Sequence, residues 1–120
     1  MKTFHLRDLD TVLVSFTGES ITDGDRPFTL ADAFMKLLSQ TQKDGKDGYA
    51  LYDVGMQIFR AEGAPVRLQQ RSFELLEEAC RTTPFTIAVS VPLSRCLEDA
   101  RSRAEREPDQ EQEAEAPTGN

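Results

Sequence analysis

A chain of 120 residues with 21 acidic and 14 basic side chains is sized for one domain, and its two cysteines are too few for a disulfide framework. No run approaches the roughly 18 consecutive apolar residues of a membrane span, and the charged stretch Met1–Arg7 does not read as a secretory signal. The net charge of −7 is uneven: eight acids against three arginines put Glu98–Asn120 at −5, which leaves residues 1–97 at −2. Nucleic-acid binding demands clustered Lys/Arg on one face, and that pattern is missing. The expectation is a soluble cytoplasmic protein with no membrane contact.

In chain order, period-two alternation comes first. Phe4 and Leu6 alternate with His5 and Arg7, then Val12, Val14 and Phe16 with Leu13 and Ser15. Thr17–Ser20 supplies a turn and Asp23–Pro27 a second one, so a hairpin is predicted with strands near residues 10–16 and 20–22. A lone hairpin is marginal in water and must lie on the helices. Thr29 is a cap, Asp32 favours the positive helix end, and Leu30, Ala33, Phe34, Leu37 and Leu38 make one helical face.

Residues 43–48 read as an exposed connector, with Asp47 as the cap of a second helix. Leu51, Val54 and Ile58 form its stripe, and Tyr52, Gly55, Met56 and Phe59 widen it, as expected of a central helix with neighbours on two sides. Gly55 costs about 1 kcal/mol against alanine and predicts close approach of another backbone. Gly63 suits a left-handed cap, with Pro65 just beyond. Val66 and Leu68 read as loop residues tucked under a third helix over 70–81, which turns Phe73, Leu76 and Cys80 inward.

Thr83 and Pro84 signal a fourth helix. Residues 85–91 alternate like a strand but also lie on the helical stripe of Phe85, Ala88, Val89, Leu93, Cys96 and Leu97. Helix is the reading taken, broken near Pro92; a strand there would join the hairpin in a three-stranded sheet. Residues 105–120, rich in Glu, Gln, Ala and Pro, cannot bury enough to order and predict a disordered acidic tail. The fold class is therefore α+β, mostly α: an N-terminal β-hairpin on a bundle of three to four short helices, with one domain over 1–104 and a tail over 105–120.

Catalytic constellations do not emerge. His5 stands in a strand without a Ser, Cys or Asp at a telling offset. Cys80 and Cys96 fall on apolar stripes and suit packing rather than reactivity. One histidine and two distant cysteines do not make a zinc site. Neither Asp23–Asp25 nor Asp44–Asp47 has the glycine and closing glutamate of a calcium loop, and Gly45–Lys46 lacks the spacing of a phosphate loop. No catalytic, cofactor or metal residue is assigned. Tyr49, Tyr52, Arg60, Arg67 and Arg71 are the candidate protein contacts. The two tyrosines and Phe59 otherwise read as ordinary core, which is the preferred reading for them.

Gly18-x-x-Ile21, Thr29-Leu30-x-Asp32-Ala33, Tyr52 with Ile58 and Ala61, Leu68 with Leu76, and Pro84 with Leu97-Glu98 together resemble small phage- and prophage-encoded accessory proteins over residues 10–98. Pro92 departs from that pattern. The resemblance implies a non-enzymatic interaction protein acting on a phage or host partner, with an assembly-chaperone or accessory role in virion morphogenesis. The alternative reading is a regulator of nucleic-acid machinery, with Arg60, Arg67, Arg71 and Arg81 gathered around the third helix.

Overall fold

The computed structural model describes residues 2–106. The elements in order are β1 (Thr3–Leu6), β2 (Thr22–Asp23), β3 (Arg26–Pro27), α1 (Leu30–Gln40), α2 (Gly45–Ala61), β4 (Val66–Gln69), α3 (Gln70–Thr82) and α4 (Ile87–Arg106). The architecture is mostly helical with a small N-terminal hairpin, as predicted, and a second antiparallel ladder, not predicted, joins β1 to β4. The core joins Phe4, Leu6, Leu9, Phe34, Leu37, Val54, Ile58, Leu68, Phe73, Leu76, Leu93 and Leu97, drawn from every helix and from both partners of the β1–β4 pair.

The local signals of α1 hold in detail. The Asp32 N–H donates to Thr29 Oγ1 at 3.2 Å and the Thr29 N–H donates to Asp32 Oδ2 at 3.0 Å, a reciprocal box built with aspartate instead of glutamate. Arg26 adds a fork onto the same carboxylate. The helix stops at Thr41, whose backbone turns extended while its hydroxyl donates to the Leu37 carbonyl at 2.8 Å.

Several expectations need correction. Val66 and Leu68 are not loop residues: β4 pairs antiparallel with β1 in the register Phe4↔Leu68 and Leu6↔Val66, and all four side chains are buried. The alternation Val66-Arg67-Leu68-Gln69 was a strand signal, but its partner lies far away in sequence. The N-terminal hairpin is confined to β2 and β3, turning at Gly24, with Thr22↔Pro27 and Asp23↔Arg26 paired. Residues 11–15 touch it through isolated bridges, Val12↔Thr29 and Val14↔Ser20. At the junction Leu13, Ile21 and Phe28 form a ring of backbone bonds: Leu13 N–H to the Phe28 carbonyl, Phe28 N–H to that of Ile21, and Ile21 N–H to that of Leu13, all 2.8–2.9 Å.

The connector before α2 is shorter than predicted. The helix opens at Gly45 with Asp44 at the cap position, and Asp47 sits inside the first turn, where it accepts from Arg71 of α3 at 3.0 Å. At the other end Glu62 is left-handed, with φ of 51°, before Gly63 at 94°. A β-carbon on Gly63 would stand 3.0 Å from that of Asp10, so the turn is pressed on the N-terminal segment.

Thr83 closes α3 rather than opening α4, its N–H bonding the Ala79 carbonyl. Helix α4 starts at Ile87, where the Thr86 carbonyl accepts from Val89 and Ser90, and continues through Pro92 without a break. A proline in the second turn removes one donor, toward the Ala88 carbonyl, and Leu93, Leu97, Ala100 and Ala104 then anchor the helix in the core. Glu105 and Arg106, assigned to the tail, belong to this helix; the rest of that predicted tail lies outside the described residues.

Candidate functional site

Helix α2 is where core chemistry and surface chemistry diverge. Leu51, Val54, Gly55 and Ile58 are buried. Tyr49, Tyr52, Met56 and Phe59 recur at i, i+3, i+7 and i+10, a second apolar stripe about 80° wide beside the first. Tyr49 is 79 % exposed, Tyr52 70 % and Phe59 68 %, and Met56 is half-buried. The preferred core reading of these aromatics is therefore wrong. The expected second neighbour of α2 on this side is solvent.

Between this stripe and α1 runs a groove of about 330 Å³ lined by Met35, Leu38, Leu51, Tyr52, Gly55 and Met56, with Lys43 also on its lining. Gly55 faces the Leu38 side chain, with 3.5 Å between Cδ1 and the place of a β-carbon, so it is a side chain and not another backbone that the glycine admits. A second hollow, of about 340 Å³, is lined by Leu9, Met35, Ile58 and Phe59 together with the charged Asp10, Arg26, Asp32 and Glu62. Met35 lines both, so the two hollows adjoin along the α1–α2 face, the first the more apolar and the second bordered by charged groups.

The predicted arginines do not join the tyrosines in one site. Arg71 is held by Asp47 in a forked pair at 3.0 and 3.1 Å. Arg67 projects outward from β4 and lines a polar hollow with Asp53, Gln57 and Ser72. Arg60 is exposed in the last turn of α2, one residue beyond Phe59, and is the one of the three next to the aromatic stripe in sequence. Met35, Leu38 and Met56 were not singled out as contacts. The signal available was the surplus: Leu51, Val54 and Ile58 already complete a buried stripe, so a second apolar stripe on the same helix is more than one core needs.

A larger hollow of about 510 Å³ lies between the segment after β1 and α4, lined by Arg7, Asp8, Pro92, Arg95, Cys96 and Asp99. Its thiol is poorly suited to nucleophilic work. Burial drives the Cys96 pKa up to about 11, against a smaller lowering from the Arg7 backbone. Cys80 is raised too, by burial, with a lesser lowering from Ser94. Among the described residues no group of three or more His, Cys, Asp or Glu side chains is placed to hold a metal ion. No described helix is long and apolar enough to cross a membrane.

Compared with family models, curated proteins and solved structures, the chain finds no match in any of the three. The residues themselves must carry the reading.

Proposed function

We propose that this protein is a non-enzymatic protein-interaction module whose recognition surface is the α1–α2 face, and that its ligand is an amphipathic helix of another protein. What supports this reading is one observation: Tyr49, Tyr52, Met56 and Phe59 repeat with the spacing of a helix-packing seam beside an apolar groove. A partner helix laid along that groove would set its own apolar residues against Met35, Leu38 and Met56. The tyrosine rings would close over it with their hydroxyls still in water, the usual balance of an aromatic interface residue. The narrower role, an accessory factor or chaperone in phage assembly, rests on the sequence resemblance.

The test is capture of partners from the native host by the full chain, beside the Tyr52→Glu/Phe59→Glu variant and a control changed on α4, Ser102→Glu. One protein recovered in stoichiometric amount by wild type and control, lost with the double variant, and cross-linked to α2 through a helical segment supports the reading. Equal recovery by all three chains sinks it. Both substituted aromatics are largely solvated, so the variant should keep the wild-type helical spectrum.

A further inference from the structure

We infer that the strand segment Val12–Leu13–Val14 is an open edge at which two copies of this chain pair antiparallel about a two-fold axis. The observation is a backbone one and stands independently of the α1–α2 face. Thr11, Leu13 and Ser15 spend their N–H and carbonyl groups on the chain's own backbone: Thr11 with Asp8 and Leu30, Leu13 with Phe28 and Ile21, Ser15 with Glu19 and Gly18. Val12 and Val14 are the non-bonded members of their bridges, so their N–H and carbonyl groups point to the opposite edge, where they have no partner among the described residues. Their side chains are also open, Val12 at 36 % and Val14 at 50 %, and Phe16 follows at 84 %.

Such an edge is normally blunted by a lysine, a proline or an inward charge. This one presents two β-branched residues and an aromatic ring in period two.

The occupant follows from self-complementarity. With Leu13 opposite Leu13 of the second copy, each Val12 faces a Val14 and exchanges both backbone bonds with it. Every open group on the edge is thereby satisfied, and the valines form cross-strand β-branched pairs. The same register places Thr11 against Ser15 and Phe16 against Asp10, so no like charges are opposed. It also carries the Phe16 ring to the Asp10 turn of the other copy. A short strand pair alone falls well below the roughly 1,200 Å² of a stable interface, so the dimer is of the weak, concentration-dependent kind, with the exposed Phe16 ring of each copy adding apolar area beside the paired valines.

The experiment is sedimentation equilibrium of the full chain across a wide concentration range, with hydrogen exchange of the Val12 and Val14 amides on the same samples. The wild type should move from 13.4 kDa toward twice that mass, and both amides should gain protection as it does. Val12→Lys/Val14→Lys and Val12→Glu/Val14→Glu should each be monomeric, and an equimolar mixture of the two should recover the dimer, because the pairing sets lysine against glutamate. Phe16→Ala should raise the dissociation constant about tenfold or more. A wild type that stays monomeric overturns the proposal and leaves the edge to an extended peptide of another protein. A dimer that survives both like-charged variants, or a mixture that does not recover it, overturns it as well.

Discussion

Arg101 of α4 reaches across to Glu77 of α3, its Nε donating to Glu77 Oε2 at 3.0 Å and Nη2 to the other carboxylate oxygen. The same guanidinium lies over the rings of Phe4 and Phe73, 5.8 and 5.4 Å from their centroids. Those rings stack on each other at 4.2 Å and 6°. One side chain thus ties α3 and α4 together above the ring pair that joins β1 to α3.

The pair is partly open, with Arg101 at 40 % side-chain exposure and Glu77 at 18 %, so its worth is moderate. Glu77→Gln, which keeps an acceptor and removes the charge, should cost about 1 kcal/mol in urea unfolding. Arg101→Ala, which also uncovers the rings, should cost about 2 kcal/mol. A double variant should cost less than the two losses added, since they share one interaction. Full additivity would refute the coupling.

Cys96 makes stability depend on alkaline pH. Burial lifts its thiol from 9.0 to about 11 in the folded chain, so folding holds the proton more tightly than the unfolded chain does. The stabilisation is complete below pH 9 and is lost as pH rises from 9 through 11, by an amount on the order of 2 kcal/mol. Urea midpoints measured from pH 7 to 11 should fall over that window, and Cys96→Ala should flatten the fall. An Ellman titration at pH 8 should be slow in the native protein and fast in denaturant.

Gly55 weakens α2 without a steric need at its own position. An added β-carbon would meet only Leu38 Cδ1, at the ordinary contact distance of 3.5 Å. Gly55→Ala should therefore gain about 0.5–1 kcal/mol in thermal or urea unfolding from helix propensity. The new methyl narrows the groove beside Met56, so the same variant should bind the partner helix more weakly. Higher stability with lower affinity separates the groove from the core.

The parts of the fold legible in sequence were those with local causes. Thr29 and Asp32 announce the start of α1 because a cap is a contact between residues three apart, and both of its bonds are present. Likewise the helical period of Phe73, Leu76 and Cys80 places α3 within a residue of its bounds, although Ala79 is buried and Cys80 only half-buried. The β1–β4 pair was hidden because each strand is four residues long and its partner lies on the far side of α1 and α2. Pro92 was read as a break because the local rule ignores what the helix rests on, and the buried Leu93 and Leu97 outweigh one lost bond.

Tyr52 and Phe59 fell between these cases. Their apolar character was plain, but sequence periodicity cannot distinguish a helix packed on two sides from one whose second side faces solvent. The unpaired edge at Val12 and Val14 was still less visible, since alternation marks a strand without revealing which of its edges is occupied.

The pairing of β1 with β4 also means that the chain is laced rather than stacked. Residues 41–44 connect α1 to α2 and lie outside both helices. A protease cut there would leave β1 on one fragment, still bonded to β4 on the other, with Arg103 of α4 donating to the His5 carbonyl at 2.8 Å. The two pieces should co-elute after nicking and separate only in denaturant. Expressed apart, they should reassemble into the folded domain, a ready-made split protein whose halves report on each other's presence.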